Sequence, residues 1–232
     1  MGFFGGLDLR LFISFEGVEG SGKTTQVEML HGFLVDMRVS VVKTREPGGT
    51  ALGDRLRPIL LEPSDAPFSP LAELFLYAAA RAQLVKEVIA PALDHHTVVI
   101  SDRYVDSTIA YQGYARGIDL GLIERLNQSA TNGCMPHLTV LLDIDPEIGL
   151  NRISSKPLRL LGGMDRLESE SLYFHRQVRK GYLLVADHHK DRFFVVNARE
   201  SKENIHKLIK QELIRRYPGN LPTGTNAGAY GS

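Results

Sequence analysis

An apolar, β-prone run that leads into a glycine-rich segment restricts the fold of this chain more than any other feature. Residues 12–25 read FISFEGVEGSGKTT and contain the pattern G-x-x-x-x-G-K-[ST], which starts at Gly17 and ends at Thr24. The glycines allow the backbone to curl so that successive N–H groups point inward, at the N-terminus of a following helix. The sequence therefore predicts a strand, a phosphate-binding loop and a helix, in that order.

The residue types within this loop suit a nucleotide and its metal ion. The Lys23 ammonium would reach the β- and γ-phosphate oxygens, and the Thr24 hydroxyl would bind Mg²⁺. Glu19 is an anion beside phosphates, so we expect it to bind a substrate hydroxyl or Mg²⁺, unless it faces solvent. The residues predicted to surround the phosphates are Gly17, Val18, Glu19, Gly20, Ser21, Gly22, Lys23, Thr24 and Thr25.

Runs of β-branched and apolar residues alternate with helical patterns along the rest of the chain. This alternation is typical of a parallel sheet covered by helices, so we predict a three-layer α/β fold with a five-stranded parallel sheet. The predicted strands are residues 11–15, 40–44, 97–101, 138–143 and 193–197. The main predicted helices are residues 23–37, 52–61, 71–93, 120–131, 146–153, 168–188 and 202–217.

The chain is interpreted as one domain followed by a tail. Apolar residues make up 43% of the sequence, which is enough for a sizeable core. No repeat and no linker divides residues 1–217, whereas residues 218–232 have the composition of a flexible C-terminal tail.

Composition argues against several classes of protein. Lys and Arg total 27, as do Asp and Glu, so the net charge gives no indication of nucleic acid or an anionic membrane as a partner. A single cysteine, Cys134, allows no internal disulfide and fits a reducing compartment. No apolar run approaches the roughly 18 residues of a membrane span, and the N-terminus does not resemble a signal peptide. We therefore expect a cytoplasmic protein.

Polar residues follow three of the predicted strands, at the ends where parallel sheets bind ligands. They belong to the phosphate loop, to the REPGGT loop that begins at Arg45, and to the pair Asp102 and Arg103. We expect them to meet at one edge of the sheet, with Asp102 as a ligand of Mg²⁺. Asp143 and Asp145 are alternative metal ligands, although the proline that follows Asp145 favours a helix N-cap.

Phosphoryl transfer requires positive charge around the phosphate oxygens, and the chain offers several bases for it. Arg103 is the strongest candidate because it lies at the expected functional edge, whereas Lys156 or Arg159, taken alone, is more often a solvated surface charge. The candidates are Lys23, Arg45, Arg81, Arg103, Lys156, Arg159 and Arg166.

Six sequence blocks, in this order, resemble the bacterial thymidylate kinases. The phosphate loop is shared by many enzymes, but TREPGGT together with DRY-x-x-S-T-x-A-Y-Q is specific to that family. The resemblance extends from about residue 11 to residue 215. The blocks are FEGVEGSGKTT at 15–25, TREPGGT at 44–50, YAAARAQLV at 77–85, SDRYVDSTIAYQG at 101–113, LLDIDPEIGLNR at 141–152 and MDRLE at 164–168.

The resemblance implies transfer of the γ-phosphoryl group of ATP to dTMP, giving dTDP and ADP, with Mg²⁺, in dTTP biosynthesis. On this interpretation Lys23 and Thr24 hold the ATP phosphates and the magnesium ion, and Asp102 positions the metal. Arg152, at the end of the LLDIDPEIGLNR block, belongs to the ATP site.

The acceptor phosphate and sugar are also assigned by the resemblance. Glu19 would meet the 3′-hydroxyl of dTMP, and Arg45 and Arg103 would bind its phosphate. Ser107 joins this site. Tyr111 would crowd the 2′ position of the sugar and so select deoxyribose.

The base site follows from the same resemblance. Tyr77 would stack on thymine, which is worth about 1–3 kcal/mol. Arg81, one helical turn later, would hydrogen-bond the base, and Thr108 and Gln112 lie near its edge. Without the resemblance, Tyr77 would be interpreted as a core aromatic residue of an amphipathic helix.

A lid loop at about residues 154–166 is implied as well, and its closure would exclude water. The phosphate loop carries no arginine, so the charge on the transferred phosphoryl group should be met by the lid. Arg159 is the first candidate for this catalytic role and Lys156 the second. The family tends to dimerise, so a homodimer is expected.

Two other functions remain open at this point. A kinase of another nucleotide or nucleoside could use the same scaffold. A nucleotide-dependent switch or a DNA-associated ATPase could also carry the phosphate loop, but the chain lacks an N-K-x-D block and its zero net charge argues against a basic DNA-binding stripe. We expect no nucleic-acid and no membrane partner.

Overall fold

The computed structural model describes residues 9–64, 68–155 and 164–218. Within these ranges, five parallel strands form one sheet with the spatial order β2-β3-β1-β4-β5. The predicted α/β fold with a five-stranded parallel sheet is confirmed, and every strand lies within one residue of its predicted bounds. The strands are β1 (Phe12–Glu16), β2 (Val41–Arg45), β3 (Val98–Asp102), β4 (Leu138–Asp143) and β5 (Phe193–Asn197).

Helices flank the sheet, and two of them continue into π-helical segments, in which N–H groups bond five residues back. The π-helical segments are Val85–Ile89 and Ile109–Ala115. No helix in the described ranges is long and apolar enough to cross a membrane. The helices are α1 (Lys23–Asp36), α2 (Ala51–Leu61), α3 (Pro70–Leu84), α4 (Ala90–Asp94), α5 (Val105–Thr108), α6 (Leu120–Thr131), α7 (Pro146–Ser154), α8 (Leu172–His188) and α9 (Lys202–Arg216).

The three central strands are buried along almost their whole length, which explains their apolar sequences. In β1, β3 and β4 the only residues that are not fully buried are Asp102 and Asp143, which end their strands. The outer strands β2 and β5 expose side chains such as Lys43 and Val195. The core therefore surrounds β1, and the polar residues of the central strands collect at one edge.

All five strands end in a polar residue at this edge of the sheet. The register pairs Asp102 with Phe15 and with Arg45, and it pairs Asp143 with Asn197. The five terminal residues are Glu16, Arg45, Asp102, Asp143 and Asn197. The prediction that the phosphate loop, the Arg45 loop and Asp102–Arg103 meet at one edge is confirmed.

The prediction of a long helix at residues 71–93 is correct in extent, but the observed helix is irregular. It runs from Pro70 to Asp94 and is interrupted by the π-helical segment Val85–Ile89. Ala90 donates its N–H to the Val85 carbonyl, five residues back. Pro91 follows at once, and a proline within a helix has no N–H and clashes with the carbonyl four residues earlier. The wider π turn accommodates this ring, so the helix continues.

Helix α8 lies unusually close to the second π-helical segment. A Cβ atom at Gly181 would come within 2.8 Å of the Tyr114 ring, so only glycine allows this approach. The next residue, Tyr182, therefore reaches across to α5. Its hydroxyl lies 2.8 Å from the Ser107 hydroxyl and 3.0 Å from Nη1 of Arg103.

Glu16 is the buried group to which these elements are attached. Its carboxylate accepts hydrogen bonds from the Tyr104 N–H at 2.7 Å, the Ser107 hydroxyl at 2.6 Å and the Tyr182 hydroxyl at 2.8 Å. Burial, followed by the nearby charge of Asp106, raises the pKa of Glu16 to about 7. Glu16 thus connects β1 to α5 and α8, and its ionisation is costly.

The substitution Glu16→Gln should make stability less dependent on pH. Between its ordinary pKa of 4.5 and its raised pKa of about 7, Glu16 binds a proton in the folded chain but not in the unfolded chain. Its contribution to the free energy of unfolding therefore falls as pH rises through this window, by roughly 3 kcal/mol in total. In urea titrations from about pH 5 to about pH 8, the wild type should lose stability relative to E16Q. The exposed substitution Glu28→Gln is the control, and parallel profiles for all three proteins would contradict the assignment.

Candidate active site

The phosphate loop joins the end of β1 to the first turn of α1. Gly17, Gly20 and Gly22 have φ angles of 145°, 69° and 96°, which residues with side chains rarely adopt. A Cβ atom at Gly20 would also overlap the Gly149 carbonyl of α7. No side chain caps the N-terminus of α1, so its first N–H groups are directed toward an anion. This geometry is the one expected of a phosphate cradle.

Lys23 lies inside this loop. Its ammonium donates to the carbonyls of Gly17 at 3.0 Å and Val18 at 2.9 Å, and lies 4.0 Å from the Glu19 carboxylate. Burial, with the neighbouring charge of Arg103, lowers the pKa of Lys23 to about 8. The ammonium has already exchanged water for loop carbonyls, so binding phosphate oxygens instead carries little further desolvation cost.

Two side-chain oxygens meet where a magnesium ion was predicted. The Thr24 hydroxyl donates to Oδ2 of Asp102 at 2.6 Å. Both are hard oxygen donors, and Mg²⁺ commonly takes one or two protein ligands and completes its shell with phosphates and water. Asp143 instead forms an ion pair with Arg179 at 2.7 Å. Asp145 accepts from the N–H of residue 147 as the predicted N-cap of α7.

Arg103 follows directly after Asp102 and has a φ of 73°, in the left-handed region that branched and long residues avoid. Its guanidinium donates to the Gly17 carbonyl at 3.2 Å and the Tyr182 hydroxyl at 3.0 Å, and it pairs with Glu19. It also lies 5.0 Å from the centre of the Tyr111 ring. These contacts hold a cation above the phosphate loop.

Glu19 is not solvent-exposed, so one alternative for this residue is excluded. Only 8% of its surface is accessible, and Tyr111 donates its hydroxyl to the carboxylate at 2.8 Å. Burial alone would raise the pKa of Glu19, but the charges of Arg103 and Lys23 outweigh it and hold the pKa below its ordinary value. An anion in a phosphate loop is tolerated here because two cations neutralise it.

A cavity of about 430 Å³ lies over this edge and is lined by residues of both predicted subsites. Its volume is in the range of pockets that bind small ligands. The lining includes Glu19, Gly20, Lys23, Thr24, Arg45, Tyr77, Arg81, Asp102, Arg103, Ser107, Thr108, Tyr111 and Gln112. The structure thus brings most of the predicted site residues together.

Arg81 reaches the cavity from α3 but is strongly engaged by the protein. It is 1% exposed, forms a two-fold ion pair with Glu46 of the Arg45 loop, and donates to Asn127 at 2.7 Å and to the Tyr104 carbonyl at 3.2 Å. Of its five N–H groups, these contacts leave one on Nη1 for a ligand. Tyr77 is half-buried beside it and lines the same cavity.

Two further arginines line the cavity. Arg45 is largely exposed and lies 3.7 Å from Asp54. Arg57 of α2 donates to the Pro47 carbonyl at 2.7 Å and also lines the cavity. Sequence reasoning did not select Arg57, because a single arginine on a predicted helix carries no motif.

Several predicted bases stand apart from the cavity or outside the described residues. Arg152 donates to the Ala198 carbonyl at 2.9 Å and does not line the cavity. Arg166 forms an ion pair with Glu73 at 2.6 Å and likewise does not line it. Arg159 and Lys156 lie outside the described residues, as do most of the predicted lid and the tail from residue 219.

Several residues that shape the site were missed from sequence. Glu16 and Tyr182 support Arg103, but Glu16 ends an apolar strand without belonging to a polar motif, and Tyr182 lies in an amphipathic helix, where it suits a core position. Asp165 and Glu168 line the cavity and lie in the MDRLE block, which was the available signal for them.

Comparisons with known proteins agree on one family. A family model described as thymidylate kinase matches residues 15–209. A thymidylate kinase of Maridesulfovibrio salexigens is 47% identical over 215 residues, which cover 92% of this chain and 99% of that protein. One of Carboxydothermus hydrogenoformans is 51% identical over 199 residues, or 86% and 94% of the two chains.

A solved structure agrees as well. The thymidylate kinase of Ehrlichia chaffeensis is 33% identical, with a TM-score of 0.69 over 88% of this chain and 98% of that one. Both the fold and the sequence of this chain therefore match those of thymidylate kinases over most of its length. This chain belongs to the thymidylate kinase family.

Proposed function

We propose that this protein transfers the γ-phosphoryl group of ATP to dTMP and so produces dTDP for dTTP synthesis in the cytoplasm. The observation that carries the proposal is the cavity that joins the phosphate loop to Tyr77, Arg81 and Gln112. A nucleotide-dependent switch or a DNA-associated ATPase has no need of a second, base-sized subsite facing its phosphate loop. The family relationship supports the same reaction.

The acceptor would lie across this cavity with its base toward α3. Tyr77 supplies a ring for stacking on thymine, worth about 1–3 kcal/mol, and Arg81 supplies a donor for a base carbonyl. Thr108 is 1% exposed at the same wall. The phosphate would then point toward Arg103 and Arg45, which face the loop from the adjoining strand ends.

The sugar would lie between these groups, beside Glu19 and Tyr111. The Glu19 carboxylate has room to accept from a 3′-hydroxyl in addition to its bonds with Arg103 and Tyr111. The Tyr111 ring, fixed by its hydroxyl on Glu19, would occupy the space that a 2′-hydroxyl needs. Discrimination against ribose would therefore be steric.

The chain's contribution to the transfer is positioning and charge. Because the transition state spreads negative charge over the equatorial oxygens of the phosphoryl group, Lys23 and Arg103, which both donate to the Gly17 carbonyl, would stabilise it together at the loop edge. Lys23 is buried and Arg103 partly buried, and both are already held by hydrogen bonds, so little reorganisation is needed as charge develops. Arg159 in the lid remains our candidate for the third cation.

Thr24 and Asp102 are the proposed magnesium ligands, with Asp102 acting directly or through water. Bound Mg²⁺ would neutralise charge on the β- and γ-phosphates. The 2.6 Å contact between the two side-chain oxygens supports this assignment, because both are close enough to converge on one ion. Among the described residues, no group of three His, Cys, Asp or Glu side chains offers a competing site.

Purified protein should phosphorylate dTMP in preference to other acceptors. With ATP and Mg²⁺, a coupled ADP assay over dTMP, dUMP, dGMP, CMP and thymidine should give the highest kcat/KM for dTMP. The pocket pairs one donor with a stacking ring, which favours a pyrimidine with a 4-carbonyl. A higher kcat/KM for CMP, dGMP or thymidine would replace the proposal by a different nucleotide or nucleoside kinase. ATP turnover stimulated by DNA but not by dTMP would reject both.

Asp102→Asn should raise the Mg²⁺ concentration required for half-maximal rate by about tenfold or more, because a charged ligand becomes neutral. The measurement is the initial rate against Mg²⁺ at saturating ATP and dTMP. Asp143→Asn is the matched comparison, since Asp143 ends the neighbouring strand and is paired with Arg179. A larger shift in D143N than in D102N would transfer the metal site to Asp143.

We further propose that the protein is a homodimer through α2 and α3. These two helices pack against each other and expose four large apolar side chains: Leu52, Ile59, Leu71 and Phe75. Exposed apolar residues concentrated on adjacent helices are typical of a protein interface.

Phe75→Glu should therefore convert the dimer to a monomer, because it places a charge within an apolar contact. Light scattering after size-exclusion chromatography gives the mass directly. Val35→Glu on α1 is the control, since Val35 and Phe75 are each 49% exposed. Equal masses for the wild type and both variants would place any interface elsewhere.

A further inference from the structure

Gln112 is held by a carboxylate that has no part in the proposed reaction. The Gln112 amide nitrogen Nε2 donates to Oε1 of Glu73 at 2.6 Å. Gln112 is 2% exposed and Glu73 1% exposed, so both side chains are buried. Gln112 lines the cavity, whereas Glu73 does not.

Glu73 is fixed in turn by two arginines. Arg116 lies 3.4 Å from its Oε2 and approaches Oε1 through Nε at 3.5 Å, and Arg166 lies 2.6 Å from Oε2. As the partner of two guanidinium groups, Glu73 is a carboxylate, and a carboxylate can only accept hydrogen bonds. It therefore determines which end of the Gln112 amide turns toward it.

The carbonyl oxygen of Gln112 is consequently the atom available to a ligand. Within the described ranges, Oε1 of Gln112 accepts no hydrogen bond from the protein. It is also not one of the buried atoms that lack a partner, so this oxygen is accessible from the cavity that Gln112 lines. We propose that Glu73 is a specificity-determining residue that locks the Gln112 amide so that it offers only an acceptor to the base. This inference rests on the proposed dTMP kinase function and names a residue behind that site.

An acceptor at this position selects a particular base edge. Thymine and uracil carry an N3–H donor beside the O4 acceptor, whereas cytosine carries an N3 acceptor beside an N4 amino donor. Arg81 is locked in the same manner by Glu46, and it can only donate. The pair Arg81 and Gln112 therefore presents one donor and one acceptor, which matches thymine and opposes cytosine at both atoms.

The substitution Glu73→Gln should reverse the orientation of the Gln112 side-chain amide. The oxygen of the introduced side-chain amide would take the position of Oε2, which lies 2.6 Å from Arg166 and 3.4 Å from Arg116. Its NH₂ group would replace Oε1 and face Gln112, with loss of the long 3.5 Å contact to Nε of Arg116. Gln112 would then rotate to accept this N–H and present its own NH₂ to the cavity. That donor would oppose the thymine N3–H and match the cytosine N3.

The test is the ratio of kcat/KM for dTMP to that for dCMP, or of inhibition constants where dCMP turnover is too slow. In E73Q this ratio should fall at least about tenfold, since Gln112 would offer the base a donor in place of an acceptor. The ratio of dTMP to dUMP should stay within about twofold, because both bases carry the same N3–H. A general loss of packing would lower kcat/KM for all three substrates together and leave both ratios unchanged.

Glu170→Gln is the matched control. Glu170 pairs with Arg116 at 2.6 Å, whereas the Gln112 amide donates to Glu73, so E170Q should keep the wild-type dTMP to dCMP ratio. In a Gln112→Ala background, adding E73Q should no longer change that ratio, because the group it orients is gone.

Should E73Q fail to fold, Glu73→Asp provides the measurement. It keeps the charge for both arginines but withdraws the carboxylate from Gln112, so the dTMP to dCMP ratio should again fall, by a smaller factor. A ratio within about twofold of the wild type in a folded E73Q or E73D protein overturns the role of Glu73. A wild-type protein that does not phosphorylate dTMP overturns the proposed function as well, so the two failures are distinguishable.

Discussion

The contact between a buried carboxylate and the groups beneath Arg103 supports the rest of this site. Glu16 ends the central strand and accepts from Ser107 and Tyr182, and both of these contact Arg103. The φ of 73° at Arg103 is unfavourable for a residue with a side chain, and the surrounding bonds hold it there. Without its bonds to Gly17, Glu19 and Tyr182, the Arg103 guanidinium would not be held over the glycine loop.

Buried carboxylates recur behind the functional side chains of this cavity. Glu19 pairs with Arg103, Glu46 with Arg81, and Glu73 with both Arg116 and the Gln112 amide. Removing such charges from water costs solvation energy, so these pairs are weak evidence for stability. What they supply is orientation, since a side chain fixed before the ligand arrives loses little freedom on binding. The equal totals of 27 acidic and 27 basic residues do not show which of these charges are paired around the cavity.

Backbone irregularity places several of these groups. The π-helical segment Ile109–Ala115 carries both Tyr111 and Gln112, and π turns are frequent at functional sites. Gly181 allows α8 to approach that segment, and Tyr182 follows it directly. Helical periodicity in a sequence does not distinguish a regular turn from a π turn, so the relative orientation of these side chains could not be anticipated.

The amino-acid sequence by itself determined the strands to within one residue, the phosphate loop and the edge at which polar groups meet. It also predicted that Thr24 and Asp102 lie close together at that edge. These follow from local signals: apolar runs, glycine spacing, and the rule that parallel strands end together. Tertiary structure alone decided that Glu16, Glu73 and Tyr182 serve the site, since their partners are far away along the chain and no local pattern marks a glutamate that will be buried and paired. A hydrogen bond between residues 166 positions apart, such as Tyr182 to Glu16, leaves no periodic trace, because only the packed helices bring the two groups within reach.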